Sequence, residues 1–364
     1  MKIDFANLKR AYQAQQKEFD LALQKVLDST KYIMGPEVED LENQLSAFTG
    51  SNHAISCSSG TDALLLALMA LDIGPGDEVI TTPFSFISTA ETIALLGAKP
   101  VFVDIDEASY NIDASLIESK INPTTKAIIP VSLFGQVSDM DAINALAEKH
   151  SLTVIEDAAQ SFGATYKGKK SCNLSTLACT SFFPSKPLGC FGDGGAVFTN
   201  NKGLAEKIKC IRLHGQTQRY NHKYIGLGAR LDTLQASVLL VKLKRYEEDI
   251  KRRQEVANRY HKLLQNNLNT PQINKGNTSV WAQYSIRLTS RDEVQKKLQE
   301  KGVPTSVHYP KPMHLQECFE YLGYKKGDFP VSESVSKEII SLPMNPYISP
   351  EEQEYICNEL KKLL

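Results

Sequence analysis

One lysine lies in a run of aromatic, proline and glycine residues, residues 181–195 (SFFPSKPLGCFGDGG). Lysine is rarely buried without a partner, because desolvation of its ammonium group is costly and lowers the lysine pKa instead. A neutral lysine amine is a nucleophile that forms Schiff bases with carbonyl compounds. Lys186 is therefore a candidate nucleophile. On this run alone, an ordinary loop lysine with a solvated ammonium group remains an open alternative.

The usual carbonyl partner of such a lysine is pyridoxal phosphate, which needs an anion site, a carboxylate for its ring nitrogen and an aromatic ring contact. Gly60 and Thr61 lie in a small polar turn between a strand-like run and a helix-forming run. Free backbone N–H groups and the positive end of a helix dipole converge at such a turn, which makes it a candidate phosphate site. A simple N-capping turn is the alternative.

The carboxylate and the aromatic ring follow two other strand-like runs. Asp157 ends the run 153–157, and Phe86 lies in the loop after the run 78–81. A helix N-cap is the alternative role for Asp157. Because ligands of parallel sheets bind beyond the carboxyl ends of the strands, we expect these residues to lie close to Lys186. The combination predicts a pyridoxal phosphate site.

The elements that position these residues alternate between short apolar runs and helical patterns up to about residue 212. This alternation predicts an α/β fold with a mostly parallel sheet covered on both faces. Long helical patterns cover residues 230–264, with a bend near Glu247, and strands and helices mix beyond them. We therefore predict a large domain over 1–245 and a linking helix with a small α+β domain over 246–364. The glycines of the run 189–195 do not match the dinucleotide fingerprint, which argues against NAD.

Composition excludes several classes of function. The 364 residues carry a net charge of −1, which provides no general attraction for nucleic acid or an anionic membrane. The seven cysteines are scattered without a CxxC pair, so neither a disulfide framework nor a metal site is expected. The first residues contain no apolar signal segment, and no apolar run is long enough to span a membrane. We expect a cytoplasmic protein.

Six motifs and their order resemble those of the DegT/DnrJ/EryC1/StrS sugar aminotransferases: residues 58–64 (SSGTDAL), 74–80 (GPGDEVI), 83–86 (PFSF), 156–160 (EDAAQ), 181–186 (SFFPSK) and 192–195 (GDGG). The likeness continues to residues 307–310 (VHYP) and 341–343 (SLP). It implies a fold-type I pyridoxal-phosphate transferase, similar to aspartate aminotransferase. Residues 172–193 are most similar to the branch that aminates UDP-2-acetamido-2-deoxy-3-oxo-D-glucuronate for bacterial surface polysaccharide.

The resemblance implies a role for each residue around the cofactor ring. Lys186 would form the Schiff base with pyridoxal 5'-phosphate and then act as the general base and acid. Asp157 would pair with the protonated ring nitrogen, which makes the ring an electron sink. Gln160 would donate a hydrogen bond to the ring oxygen, and Phe86 would stack on the ring face.

The resemblance also implies a phosphate site and a shared active site. Gly60, Thr61 and Ser181 would hold the phosphate. In this family two subunits of a homodimer share each site, so Arg230 would reach the neighbouring subunit's site. His308 would help to hold the nucleotide sugar.

One position departs from the family pattern. The family usually has an asparagine two residues before the arginine of this loop, where it contacts the partner's phosphate, and here that position is Gly228. Glycine has no side-chain donor, so that contact is not transferred to this chain. A backbone N–H group or Asn221 remains an open replacement.

The implied reaction moves an amino group from an amino acid, with L-glutamate the expected donor, to a keto group of a UDP-sugar. The expected target is the C3 ketone of the 3-oxo-glucuronate, whose carboxylate needs a cation. Candidates are Arg230, Lys311 and His308, each of which has a solvated surface charge as its alternative role. Another substrate within the class is a C3- or C4-keto deoxysugar nucleotide. The alternative of another class is a catalytically silent regulatory or scaffold protein.

Overall fold

The computed structural model describes residues 3–364 and is built around a seven-stranded sheet in the order β1-β9-β8-β5-β4-β2-β3. The strands of the chain are β1 (His53–Cys57), β2 (Glu78–Thr81), β3 (Lys99–Phe102), β4 (Thr125–Ile128), β5 (Thr153–Asp157), β6 (Thr165–Tyr166), β7 (Lys169–Lys170), β8 (Leu177–Ser181), β9 (Gly195–Thr199), β10 (Gln216–Gln218), β11 (Asn221–His222), β12 (Tyr284–Arg287) and β13 (Ile339–Leu342).

Thirteen α-helices are found in the described residues. They are α1 (Leu8–Gln13), α2 (Gln16–Ser29), α3 (Pro36–Thr49), α4 (Gly60–Ala70), α5 (Ser88–Leu95), α6 (Ala114–Ile117), α7 (Met140–Lys149), α8 (Lys202–Ile211), α9 (Thr233–Leu243), α10 (Tyr246–Leu264), α11 (Arg291–Glu300), α12 (Pro330–Glu338) and α13 (Pro350–Lys361). Short 3-10 helices occupy Glu118–Lys120, Leu133–Gly135, Met313–Leu315 and Glu317–Leu322.

The large sheet is mixed but mostly parallel, as predicted. Four strand pairs are parallel, namely β2 with β3, β2 with β4, β4 with β5, and β5 with β8. Only β9 in this sheet runs against its neighbours, β1 and β8. The central strands are buried along their length, which explains their nearly continuous apolar runs.

This topology brings the carboxyl ends of β1, β2, β5 and β8 to one edge of the sheet. The segments that follow these strands are the ones that carry the predicted site residues. Across β5 and β8, Asp157 is directly opposite Cys179, two residues before Ser181 ends β8. The sheet register therefore determines how the carboxylate and the phosphate-binding residues lie relative to one another.

The C-terminal third forms a second packed unit. Strands β12 and β13 pair antiparallel, and their apolar residues pack with α10, α11 and α13 in one buried cluster. The long helical pattern is interrupted between Leu243 and Tyr246, slightly before the predicted bend at Glu247. The domain boundary between residues 245 and 246 lies at this break and stays a prediction.

The described residues were compared with two kinds of feature, a membrane-spanning helix and a metal-binding cluster of side chains. No helix among residues 3–364 combines the length and the apolar character needed to cross a bilayer. In the same part of the chain, no group of three or more His, Cys, Asp or Glu side chains is arranged to hold a metal ion. All seven cysteines are free thiols.

Candidate active site

Eight of the nine predicted site residues line one cavity of about 590 Å³ at this edge of the sheet. Arg230 is the one that does not, and Lys311, the further candidate for the uronate carboxylate, is exposed and does not line the cavity either. The eight are Gly60, Thr61, Phe86, Asp157, Gln160, Ser181, Lys186 and His308. A wider surface depression of about 770 Å³, lined by Asp106 and Lys149 among others, contains none of the predicted residues. Eight candidates therefore lie around one cavity, and the roles assigned to them stay predictions.

Lys186 lies in the tight loop that joins β8 to β9. Its backbone N–H donates to the Phe183 carbonyl at 2.8 Å, and the Cys190 N–H donates to the Phe182 carbonyl at 2.8 Å. A Cβ on Gly189 would lie 2.6 Å from the carbonyl oxygens of Phe183 and Pro184, so the loop needs glycine there. The Lys242 Nζ donates a hydrogen bond to the Gly189 carbonyl and so stabilises this loop.

The surroundings of Lys186 favour the neutral form of its amine. Burial lowers the pKa of Lys186, and the negative charge of Asp157 only partly opposes this effect. A lowered pKa increases the fraction of neutral amine at physiological pH, which is the form that attacks a carbonyl carbon. The alternative of a fully solvated loop lysine does not fit this position.

Asp157 is a buried carboxylate at the end of β5. It accepts hydrogen bonds from the Thr89 hydroxyl at 2.8 Å and from the Ala159 N–H at 3.2 Å. Burial nevertheless raises the pKa of Asp157, against the opposing effects of these hydrogen bonds and of the Lys186 charge. A cation next to this carboxylate would compensate the burial, and the protonated ring nitrogen of pyridoxal phosphate is a cation of suitable size.

The anion site is formed where β1 leads into α4. Gly60 is the first residue of α4, and the side chain of the N-cap Ser59 accepts a hydrogen bond from the Asp62 N–H at 3.0 Å. A Cβ on Gly60 would lie only 2.6 Å from the Ser181 Cβ, so glycine allows the helix end and the end of β8 to come together. The Thr61 and Ser88 hydroxyls lie 2.8 Å apart. Backbone N–H groups and hydroxyls around a helix N-terminus suit a phosphate.

Phe86 and Gln160 line the same cavity as Lys186 and the candidate phosphate-binding residues. Phe86 is 55% exposed, and its ring centroid lies 6.4 Å from that of Tyr309. The Gln160 Oε1 accepts from the Phe134 N–H at 2.8 Å, and its Nε2 donates to the Tyr309 hydroxyl at 3.1 Å. One N–H of the Gln160 amide is therefore engaged, and the second remains for a ligand.

His308 lines the cavity and is held between two serine hydroxyls. Its Nδ1 lies 3.0 Å from the Ser341 Oγ, and its Nε2 lies 3.3 Å from the Ser306 Oγ. Burial, and to a smaller extent the positive charge of Lys186, lowers the pKa of His308 to about 4. His308 is therefore a neutral hydrogen-bonding group near pH 7 and does not supply a positive charge.

Arg230 lies outside the cavity of its own chain, at the end of a loop that projects from the surface. This loop contains the hairpin of β10 and β11, and its residues Tyr220 and Ile225 are 80% and 89% exposed. Gly228 is exposed, and a Cβ there would lie 3.1 Å from the end of the His214 ring, so a side chain at this position requires only a small shift of that ring. The predicted role of Arg230 in a neighbouring subunit stays a prediction.

Sequence reasoning missed several residues that act on this site. Thr89 holds Asp157, Tyr309 holds Gln160, and Lys242 holds the loop of Lys186. Tyr309 directly follows His308, so its position in the run 307–310 was a signal that could have been used. The contacts of Thr89 and Lys242 join segments far apart in sequence and had no local signal.

The sequence matches the DegT/DnrJ/EryC1/StrS aminotransferase family over residues 13–361. It is 53% identical over 359 residues to the UDP-2-acetamido-2-deoxy-3-oxo-D-glucuronate aminotransferase of Pseudomonas aeruginosa. That match covers 98% of this chain and 99% of the relative. Similarity of this extent over whole chains is accompanied by the same fold.

Two solved structures support the same assignment. The S. venezuelae protein DesV, in complex with a ketimine intermediate, superposes with a TM-score of 0.97 and 38% identity, over 100% of this chain and 98% of that chain. The Bacillus subtilis protein NtdA, with bound cofactor PMP, superposes with a TM-score of 0.89 and 33% identity, over 99% of this chain and 84% of that chain.

The cavity fits the cofactor on four features of this chain: a lysine with a lowered pKa, a buried carboxylate, a helix N-terminus whose first residue, Gly60, has no room for a Cβ beside Ser181, and an exposed aromatic ring. The fold is that of the fold-type I transferases, as predicted. The chain belongs to the DegT/DnrJ/EryC1/StrS aminotransferase family, and its cofactor is pyridoxal phosphate.

Proposed function

We propose that this protein moves the amino group of L-glutamate to the C3 ketone of UDP-2-acetamido-2-deoxy-3-oxo-D-glucuronate. The convergence of Lys186 and Asp157 in one cavity carries the aminotransferase part of the proposal. The substrate part is supported by the 53% identity to the Pseudomonas aeruginosa relative that is named for this sugar. Surface polysaccharide synthesis, including O-antigen, and a cytoplasmic location follow as parts of the same proposal.

Lys186 is the proton carrier of the proposed reaction. Bound pyridoxal phosphate supplies a conjugated ring that accepts the electron pair of a breaking C–H bond. The Lys186 Nζ removes the proton from the α-carbon of the donor, and later delivers a proton to the former ketone carbon of the sugar. The carboxylate of Asp157 keeps the proton on the ring nitrogen, which preserves the electron-accepting character of the ring.

The remaining cavity residues bind and orient. The N-terminus of α4, with Gly60 and Thr61, and the hydroxyl of Ser181 hold the phosphate. Phe86 covers one face of the ring, and the free N–H of Gln160 donates to the ring oxygen. These roles rest on the positions of the side chains around one cavity of matching size.

The carboxylate of a uronate substrate calls for a cation beyond those in the cavity of one chain. Lys186 and His308 are the basic residues among those lining the cavity, and His308 is neutral near pH 7. Lys186 is committed to the chemistry. We propose that Arg230 of a second copy supplies the cation in a homodimer with shared sites, which the exposed loop with Tyr220 and Ile225 supports.

A mixing experiment tests the shared site. Lys186→Ala and Arg230→Ala are each expected to be inactive as pure dimers. Co-expression of the two should restore about a quarter of the wild-type activity, because half of the dimers are hybrids and each hybrid has one intact site. No recovery, with hybrid dimers demonstrated by differential tags, would contradict sharing of the site.

A substrate panel tests the reaction and its alternatives. Incubation with glutamate and the 3-oxo-glucuronate should give the amino sugar at least tenfold faster, by kcat/KM, than a C3- or C4-keto deoxysugar nucleotide. Preference for a deoxysugar nucleotide would overturn the substrate. Cofactor binding without turnover on any sugar would support the regulatory alternative instead.

A further inference from the structure

A glutamine of the C-terminal third lines the active-site cavity, and also a small neighbouring cavity of about 20 Å³, and has a buried amide oxygen without a partner in the protein. Gln283 lies just before β12 and is one of the residues that line the cavity, together with Val307, His308 and Tyr309. Its Oε1 is buried and makes no hydrogen bond. The Nε2 of the same amide also makes no hydrogen bond with any group of residues 3–364.

A buried amide atom without a partner is unusual. Most buried polar atoms in proteins are hydrogen-bonded, because an unpartnered one costs the free energy of its lost hydration. Among the buried unpartnered side-chain atoms of the described chain, only that of Gln283 belongs to a residue lining this cavity.

The local fold does not explain why an amide is at this position. The Trp281 backbone N–H donates to the Ser279 Oγ at 3.0 Å, and its indole N–H donates to the Gln254 Oε1 at 2.9 Å. Tyr284 is fixed by its pairing with Leu342 in the small sheet. The segment around Gln283 is therefore held by its neighbours, and the amide of Gln283 contributes nothing to it.

We propose that the Gln283 amide binds a neutral polar group of the sugar substrate, either a hydroxyl or the acetamido group. This inference rests on the proposed function and assigns a specificity role to one more residue. An amide offers one acceptor and two donors without charge, which suits groups that both donate and accept. A dicarboxylate donor such as glutamate is recognised by positive charge, which Gln283 does not have.

In the proposed reaction, glutamate and the keto-sugar occupy the cavity one after the other. Measurement of each half-reaction by itself therefore shows which of the two substrates Gln283 binds. In Gln283→Leu, a substitution of similar volume, the half-reaction with the 3-oxo sugar should lose at least tenfold in kcat/KM, about 1.4 kcal/mol by the thermal conversion. The half-reaction with glutamate, followed by the absorbance of the bound cofactor, should stay within about twofold of wild type. The Tm of the variant should be equal to or higher than that of wild type, because an unpartnered buried amide has been removed.

Gln272→Leu is the matched control. Gln272 does not line the cavity, and its amide donates to the Thr270 carbonyl at 2.9 Å. Its substitution should lower the Tm and leave both half-reactions unchanged. This pattern is the opposite of that expected for Gln283→Leu.

The other outcomes overturn the inference, and they can be told apart from failure of the proposed function. A lower Tm or loss of soluble protein in Gln283→Leu would show that the amide serves the fold. An unchanged sugar half-reaction would show that the amide does not bind the sugar, and a selective loss of the glutamate half-reaction would assign it to the donor. If wild type itself does not aminate the sugar, the proposed function fails before Gln283 is tested.

Discussion

The Thr89 hydroxyl donates a 2.8 Å hydrogen bond to the Oδ2 of Asp157, and both side chains are buried. Thr89 lies in the first turn of α5, and Asp157 is the last residue of β5. The hydrogen bond favours the charged carboxylate, in opposition to the burial that raises the pKa of Asp157. It connects the helix after the Phe86 loop with the carboxylate that lines the cavity.

Loss of this hydrogen bond should impair the reaction while the fold is kept. Thr89→Val replaces the hydroxyl with a methyl group of similar size, and a hydrogen bond to a charged group contributes about 1.5–3 kcal/mol. We therefore expect kcat to fall at least about tenfold, because Asp157 holds the ring-nitrogen proton less well. Thr89→Ser keeps the hydroxyl and should stay close to wild type. Equal activity of the two variants would contradict the role of the hydroxyl.

The contact between Lys242 and Gly189 should position the loop of Lys186. Lys242→Met removes the donor to the Gly189 carbonyl and keeps the aliphatic chain. We expect a several-fold loss in kcat with little change in KM for the sugar, since Lys242 does not line the cavity. Lys244→Met, at an exposed position nearby, is the control and should behave as wild type.

The same lysine should give a pH-dependent contribution to stability. Burial lowers the pKa of Lys242 from 10.5 to about 8, so between pH 8 and 10.5 the unfolded chain binds a proton that the folded chain does not. The free energy of unfolding should therefore rise with pH across this window, relative to Lys242→Met. Urea unfolding of both proteins at several pH values measures the difference, and parallel pH profiles would show that Lys242 is not desolvated.

His308 should stay neutral far below its ordinary pKa. Burial and the charge of Lys186 lower its pKa from 6.5 to about 4, so unfolding takes up a proton between these values. The stability contributed by neutral His308 is complete above pH 6.5 and declines on acidification to pH 4, by at most about 1.4 kcal/mol per pH unit. NMR titration of the imidazole in cofactor-free protein should give the low pKa, and Lys186→Met should raise it. A pKa near 6.5 would contradict the burial.

Gly195 should be necessary for the shape of the phosphate site. A Cβ at this position would lie 2.3 Å from the Ser59 carbonyl oxygen, just before the start of α4. Gly195→Ala should push this turn away from β9, with about 1–3 kcal/mol lost in stability and weaker cofactor binding. Gly203→Ala, in the first turn of α8, meets only a side-chain oxygen at 3.3 Å and is the control. Thermal unfolding and cofactor titration compare the two.

The sequence was sufficient for the sheet class and for the residues that directly follow strands. Gly60, Asp157 and Lys186 each have an ordinary alternative role when taken alone, but together they match what pyridoxal phosphate needs, and the topology then brings them to one edge of the sheet. Thr89 and Gln283 could not be found in this way. The hydrogen-bond partner of Thr89 lies far away in the chain, and the buried amide oxygen of Gln283 has none in the protein. Their positions depend on the register of the sheet and on packing of the C-terminal third, which no local pattern specifies.

The break between α9 and α10 is another feature that the sequence pattern alone does not locate. The helical periodicity continues through residues 244 and 245, where the chain turns, because the side chains on both sides of the break are apolar at helical spacing. Tyr246, the first residue of α10, packs against Phe162 and Phe48. Its ring centroid lies 5.7 Å from that of Phe162 and 5.6 Å from that of Phe48. Local propensity is too weak to locate such a turn.

A single-turnover comparison of wild type with Lys186→Ala tests whether Lys186 carries the proton in the aminotransferase reaction. Wild type loaded with pyridoxal phosphate and mixed with glutamate should show a rapid change in the absorbance of the bound cofactor, followed by amination of the 3-oxo sugar. Lys186→Ala should still bind the cofactor without a covalent bond and should show neither step. Turnover at the wild-type rate in Lys186→Ala would contradict the claim.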